Sequence, residues 1–337
     1  MIDIYGLGNA IVDTEYRVSE DFLDKHDVAK GHMTLIDEFR LRELTQVLNE
    51  HAAEKTSGGS AANTIFAAQS FGSSTYYSCK VSADNIGAFF LQDLREAGIE
   101  VSTNQMTESK TSGQCLVFIT PDGERSMNTC LGVSDQLTIN DIDGAKIAAS
   151  RYLYLEGYLS SSVTATETAA AARAHAEESK VKTVITLSDP SIVQAFRANL
   201  ELMLGNGVDH LFCNEEEALT WTKTDRLDIA ANELSDVANT LNITLGAKGS
   251  LFAQYGRQTL IPAFTATPVD TNGAGDIYAG ANIHGWCLEM DPIAAARFGN
   301  LAASSLIGKY GARFKHVSDY KELLSRFNSE HAVRNQP

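Results

Sequence analysis

The residues best suited to do chemistry lie together in Pro268-Val-Asp-Thr-Asn-Gly-Ala-Gly-Asp-Ile-Tyr-Ala-Gly-Ala281. An extended, proline-marked stretch runs into Asn272-Gly273-Ala274-Gly275 and then into a helix rich in small residues. The glycines give the backbone freedom and let a ligand approach the main chain. The first N–H groups of a helix have no partners within it, and the helix dipole adds positive potential there. Asn272 to Asp276 therefore reads as an anion hole at a helix N-terminus, with Gly273, Ala274 and Gly275 as its lining. Asp276 adds a carboxylate to the same turn. This combination suits transfer of a phosphoryl group onto a hydroxyl: donors steady the equatorial oxygens while the carboxylate takes the proton. Taken alone, the same residues describe a helix cap with an ordinary first-turn acid.

Four further constellations end strands or open helices. Asn9 and Asp13 offer an amide and a carboxylate able to grip a vicinal diol, or are simple turn residues. Gly58-Gly59 with Asn63 would bring a substrate's polar edge to the backbone and one amide. Asn214-Glu-Glu-Glu217 places Glu217 near a hydrated Mg²⁺ or complements a helix dipole. Thr244-Leu-Gly246-Ala-Lys248-Gly249 could pass along a nucleotide, or be a hairpin turn. In open α/β sheets ligands sit at the carboxyl ends of the strands, so these groups could share one crevice.

The elements that must position them alternate. Strands are expected at Ile2–Gly8, Tyr76–Val81, Tyr152–Glu156, Thr183–Leu187, His210–Cys213 and Asn242–Leu245, with helices between them. Among those helices are one opening at Ser60 as N-cap and one over Ile229–Leu241. A hairpin spans Leu251–Ile261, and helices over Gly273–Leu288 and Pro292–Lys309 close the core. This is the rhythm of a mainly parallel sheet covered on both faces. Short strands around 12–18 and 33–36, and a hairpin of Gln114–Thr120 with Arg125–Thr129, interrupt it and suggest a small separate sheet. The end of the chain after Asn328 reads as loosely ordered.

Composition narrows the class. The 337 residues carry Lys+Arg 27 against Asp+Glu 43, a formal charge of −16. Such a field disfavours nucleic acid and anionic membrane as partners. Five scattered cysteines without a C-x-x-C pair suggest reduced thiols and a cytoplasmic protein, with neither a signal peptide nor a bilayer span expected. There is no G-x-x-x-x-G-K-[ST] loop, and Gly6-Leu-Gly8 lacks the third glycine of a dinucleotide fingerprint.

Together these motifs resemble the ribokinase-like (PfkB) family of sugar and nucleoside kinases, from Gly6 to Gly311. Asp270-Thr-Asn-Gly-Ala-Gly-Asp276 looks like its C-terminal signature and Gly58-Gly-Ser-Ala-Ala-Asn63 like its N-terminal one. The resemblance implies an α/β fold, a three-layer α/β/α domain over residues 1–330 with a mainly parallel central sheet. A small β-sheet lid would come from about 12–18, 33–36 and 101–130, and 331–337 would form a tail. It implies ATP and Mg²⁺ as cofactors and Asp276 as catalytic base, with Gly273 to Gly275 holding the γ-phosphate. Asn214 and Glu217 would organise Mg²⁺ through water. Thr244, Gly246, Lys248 and Gly249 would form the nucleotide loop, and Asn300, Ala302 and Ala303 would receive adenine. Asp270 and Asn272, with carbonyls near Gly311, match the place of a potassium ion. Lid strands of such proteins also pair two subunits, so the resemblance leaves a homodimer through the lid open.

Gly8-Asn9-Ala-Ile-Val-Asp13 and Asp122-Gly-Glu-Arg-Ser-Met-Asn128 look like the adenosine kinase branch, with Arg125 able to meet phosphate charge. The expected acceptor is a primary hydroxyl of a purine nucleoside such as adenosine, held by Asn9, Asp13, Gly58, Gly59 and Asn63. Phe118 and Tyr16 in the lid strands are either the aromatics that stack on its base or packing residues of the lid. The alternatives are a kinase of free sugars or keto-sugar acids and a non-catalytic nucleoside sensor. Asp276, at a helix N-terminus, is expected to be a weak base.

Overall fold

A computed structural model describes residues 1–48, 53–103 and 110–334. Two sheets organise them. The larger has nine strands in the spatial order Arg257–Ile261, Ser250–Gln254, Ala238–Thr244, Val208–Asn214, Lys182–Thr186, Ser150–Glu156, Ile2–Leu7, Thr75–Cys79, Glu100–Thr103. Seven of these run parallel, from Ala238–Thr244 to Glu100–Thr103. The hairpin Ser250–Gln254 with Arg257–Ile261 closes one edge antiparallel.

The central strands are apolar on both faces because helices cover both. Tyr5, Leu7, Leu153, Leu155, Ile185 and Leu211 point into one core, against Val163–Glu178 and Arg197–Leu204. Ile4, Tyr152, Tyr154, Val184 and Phe212 point into the other, under Ser60–Phe71, Asn85–Glu96 and Ala274–Cys287. The result is the three-layer α/β/α architecture. Pro292–Leu306 and Val317–Arg334 pack outside Ala274–Cys287 through Phe298, Leu301, Tyr320 and Phe327.

The chain starts in the middle of the sheet, builds outward through Thr75–Cys79 and Glu100–Thr103, then returns to the other side of Ile2–Leu7 with Ser150–Glu156. Strand order therefore reverses between these two neighbours, and crevices open at such a point.

The smaller sheet has five strands, in the order Met33–Leu35, Arg125–Cys130, Gly113–Ile119, Ile11–Arg17, Ala53–Gly58. Its own core packs Tyr16, Leu23, Leu41, Leu44 and Phe118. The chain enters it directly after Ile2–Leu7 and leaves it through Gly58-Gly59 into the helix Ser60–Phe71.

Several expectations need correction. Residues 101–103 pair with Thr75–Cys79 in the large sheet, not in the small one. Residues 104–109 of the expected lid segment lie outside the described residues. The small sheet gains Ala53–Gly58, which pairs antiparallel with Ile11–Arg17. The helix expected over Ile229–Leu241 is Leu227–Leu234, and its last residues belong to the strand Ala238–Thr244, because the apolar spacing there fits either period. The last helix continues to Arg334, past the expected loose end at Asn328, anchored by buried Tyr320 and Phe327. Residues 335–337 lie outside the described residues. No helix among the described residues is long and apolar enough to cross a membrane.

Candidate active site

The helix Ala274–Cys287 starts where Gly273 adopts φ 73 with no side-chain cap. A Cβ at Gly273 would stand 2.4 Å from the Ala312 carbonyl, so only glycine fits this turn. The N–H groups of Gly275 and Asp276 have no hydrogen-bond partner among the described residues, whereas Ala274 N–H reaches Thr271 O at 3.2 Å. Free donors at a positive helix end are what an anion requires.

Asp276 stands in the first turn of that helix. Ser60 Oγ donates to its Oδ1 at 2.7 Å and Asn63 Nδ2 to its Oδ2 at 3.0 Å. Burial pushes its carboxyl up to about 6, opposed by those two hydrogen bonds and by the charge of Arg313. Desolvation here outweighs the helix end, so Asp276 is a stronger base than its place in the sequence suggested. Ser60 is not the N-cap of its helix. Gly59 is, at φ 92 and with its missing Cβ 2.7 Å from Asn9 O, which frees the Ser60 hydroxyl for Asp276.

Asn9 follows the first strand at the strand-order reversal. Its N–H donates to Glu156 Oε1 at 2.7 Å, and Ala61 N–H donates to Glu156 Oε2 at 2.6 Å. Glu156 ends the neighbouring strand, is 1% exposed, and is pushed by burial up to about 7. It joins three elements: the Asn9 turn, the helix opening at Ser60, and its own strand. Nothing in the motif reading named it, although an acid closing the apolar run Tyr152-Leu-Tyr-Leu155 at a strand's carboxyl end was the available signal. Arg313 was also missed. Its Nε donates to Asn63 Oδ1 at 2.8 Å and its Nη1 to Ser57 Oγ and Asp93 Oδ2, each at 2.9 Å.

Asp13 reaches the crevice from the small sheet, its Oδ2 packed where a Cβ at Gly58 would stand at 2.5 Å. Burial raises its carboxyl to about 7, with Arg313 and Arg125 opposing. Asn9, Asp13, Gly59, Asn63, Glu217 and Asp276 line one cavity of about 400 Å³ together with Gly273, Ala274 and Gly275. Its far wall is apolar, made of Ile11, Leu35, Met127 and Leu131. Tyr16 and Phe118 take no part in it. Side chains alternate across strands, and these two point into the small sheet's own core, away from the face that carries Ile11 and Asp13.

A second cavity of about 540 Å³ adjoins the first at Thr244, Thr271, Ala274, Gly275 and Tyr278, and is lined further by Gly246, Gly249, Asn300 and Ala303. Asn300 Nδ2 is committed to Ile261 O at 2.9 Å and Pro262 O at 3.2 Å, so its amide also shapes the groove. Ala302 is fully buried in the helical core and Lys248 points at Glu215 in solvent, so neither lines this groove.

Asn214 and Glu217 form a capping box: Asn214 N–H and Nδ2 meet the two Glu217 oxygens at 3.0 and 2.6 Å, and Glu217 N–H meets Asn214 Oδ1 at 2.8 Å. Burial pushes the Glu217 carboxyl up to about 7, and the neighbouring negative charge of Asp189 adds to the shift. Two acids repelling one another at the cavity wall fit a hydrated Mg²⁺ held through water, and no closer cage of three ligands exists among the described residues. Potassium at Asp270 does not fit. Asp270 Oδ2 already accepts from Arg125 Nη1 at 2.7 Å and Gly311 N–H at 2.8 Å, and Oδ1 from Asn272 N–H at 3.0 Å.

The chain is similar to known proteins along most of its length. The chain is 26% identical to adenosine kinase 1 of Arabidopsis thaliana, over 94% of this chain and 97% of that one. It is 27% identical to a ribokinase of Staphylococcus aureus, over 83% and 93%. The solved structure of adenosine kinase from Sinorhizobium meliloti is 32% identical, with a TM-score of 0.87 over 96% of this chain and 99% of that one. The model of the pfkB family carbohydrate kinases matches residues 28–318. The chain therefore belongs to the pfkB family of carbohydrate kinases, phosphotransferases whose acceptor is a hydroxyl group.

Proposed function

We propose that this kinase transfers the γ-phosphate of ATP to the primary hydroxyl of a purine nucleoside such as adenosine. The observation that carries the acceptor is the two-sided cavity. Asn9, Asp13 and Asp276 gather at its polar floor, while Ile11, Leu35, Met127 and Leu131 form an apolar wall. A ribose suits the floor, and a free sugar leaves the wall without a partner. A nucleobase buries that wall. The similarity to adenosine kinases supports the same choice.

Asn9 and Asp13 hold the ribose diol, and positioning supplies much of the rate. Asn63, bonded on both sides to Arg313 and Asp276, orients the base and leaves the diol to Asn9 and Asp13. Asp276 takes the proton from the primary hydroxyl. A carboxyl near 6 is ionised at neutral pH yet more basic than a solvated one. The free N–H groups of Gly275 and Asp276 steady the transferring phosphoryl group. The groove past Gly246 and Gly249 takes the nucleotide. Glu217 and Asp189 would hold Mg²⁺ through water, and the ion would supply positive charge to offset that of the phosphates.

The test is ADP release from ATP and Mg²⁺ with adenosine, inosine, guanosine, ribose, fructose and 2-keto-3-deoxygluconate offered separately. Turnover with a nucleoside, lost in Asp276→Asn, is the expected result. Turnover with a sugar alone would overturn the acceptor and keep the chemistry. Nucleoside binding without any turnover would make the protein a sensor.

A further inference from the structure

Asp270 opens the loop that ends in the anion hole, and it is 8% exposed. A carboxylate this far from water needs compensating charge as well as hydrogen bonds. Two backbone N–H groups, of Asn272 and Gly311, supply hydrogen bonds. The charge comes from Arg125, on the strand Arg125–Cys130 of the small sheet, whose Nη1 lies 2.7 Å from Asp270 Oδ2. The other arm of the guanidinium, Nη2, grips Glu15 on the strand Ile11–Arg17, two strands away in the same sheet. The Arg125 side chain is 15% exposed, and no other cationic side chain pairs with Asp270 among the described residues.

We propose that the Arg125 guanidinium is a built-in monovalent cation for this kinase, holding Asp270 and the Asn272 turn in the shape that presents the Gly275 and Asp276 N–H groups. A diffusible cation at Asp270 would meet a carboxylate whose two oxygens already accept hydrogen bonds. It would also stand against the guanidinium's own charge, which repels it at this range. Because Arg125 belongs to the small sheet, seating that sheet over the crevice delivers the charge, so the anion hole is complete when the acceptor is covered. Arg125 acts here through Asp270 as a positioning residue. The inference rests on the phosphotransferase reading and not on the choice of acceptor.

The experiment measures turnover with whichever acceptor supports ADP release, with potassium, sodium or tetramethylammonium as the only monovalent cation. Binding of thallous ion, a potassium mimic, is followed in parallel by thallium NMR and needs no acceptor. The wild-type enzyme is expected to turn over within about two-fold in all three salts and to bind no thallous ion near Asp270. Arg125→Met keeps the length and removes the charge. Its turnover should fall by about ten-fold or more in tetramethylammonium, recover in potassium, and be joined by thallous binding. Arg125→Lys should remain indifferent to the salt. A wild-type enzyme that needs potassium would overturn the inference. So would an Arg125→Met protein that is folded, equally slow in every salt and blind to thallous ion. Thallous binding in Arg125→Met without turnover on any acceptor would sustain the cation site while the kinase reading fell.

Discussion

Asn63 Nδ2 donates to Asp276 Oδ2 at 3.0 Å, and the direction of that bond is fixed from behind, because Arg313 Nε donates to Asn63 Oδ1 at 2.8 Å. An amide held on both sides cannot flip. Arg313 is itself held by Asp93 and lies over the Phe66 ring at 4.3 Å. This chain of contacts and the Ser60 hydroxyl give Asp276 a donor on each oxygen and favour its ionised form in a site that disfavours charge.

Asp276→Asn should lower kcat by about 10²- to 10⁴-fold, the usual contribution of a positioned base. KM for both substrates should change little, since the side chain keeps its size. ADP release under saturating substrates checks this, and near-normal turnover would remove Asp276 from the base role.

The pH profile of kcat should fall on the acid side with a midpoint near 6. Asp276 is raised by burial, so it is protonated and inactive as a base below that value and ionised above it. Arg313 lowers this pKa by its charge, so Arg313→Met should move the limb to higher pH as well as slow turnover. A limb that stays in place in that variant would separate Arg313 from the base.

Glu156→Ala should destabilise the protein through the two buried N–H groups, of Asn9 and Ala61, that it leaves unpaired. Each costs about 1–3 kcal/mol when buried without a partner. Thermal unfolding at matched pH measures the loss. The pH dependence has a sign of its own: the folded carboxyl is raised to about 7, so the stability it gives at low pH is lost as pH rises from the ordinary glutamate range through 7. Glu156→Ala should therefore flatten the stability curve over that window.

Met127→Asp puts a charge on the apolar wall. KM for the nucleoside should rise by about ten-fold or more, with KM for ATP unmoved, since losing one partly buried apolar group and adding an unpaired charge costs a few kcal/mol. If the acceptor is a free sugar confined to the polar floor, steady-state kinetics will show no such split.

Much of this site was legible because it is written in short runs: Asn272 to Asp276, Gly58 to Asn63, and Asn214 to Glu217 each place a strand end or helix start with its functional groups. What escaped came from contacts between distant segments. Glu156 matters through Asn9, 147 residues away, and Arg313 through Asn63, 250 away, and neither sits in a motif. Ala53–Gly58 was hidden for another reason. Its sequence, Ala-Glu-Lys-Thr-Ser-Gly, has no apolar alternation, and it becomes a strand by pairing along the edge of Ile11–Arg17. Tyr16 and Phe118 take the packing role and not the stacking one, a choice left open because aromatic type says nothing about which face of a strand a residue occupies.

The crevice is shared between two sheets in an uneven way. The groups proposed to react, from Asp276 to the free N–H donors and Asn63, belong to helices seated on the large sheet, while Ile11, Leu35, Met127 and Leu131 belong to the small one or its border. On the proposed reading, the apolar wall for the acceptor and the groups for the transfer thus come largely from different parts of the molecule, with Arg125 as the link between them. Substitutions at Ile11, Leu35, Met127 and Leu131 would then exchange one acceptor for another, whereas a change at Arg125, on the same sheet, would reach the anion hole through Asp270.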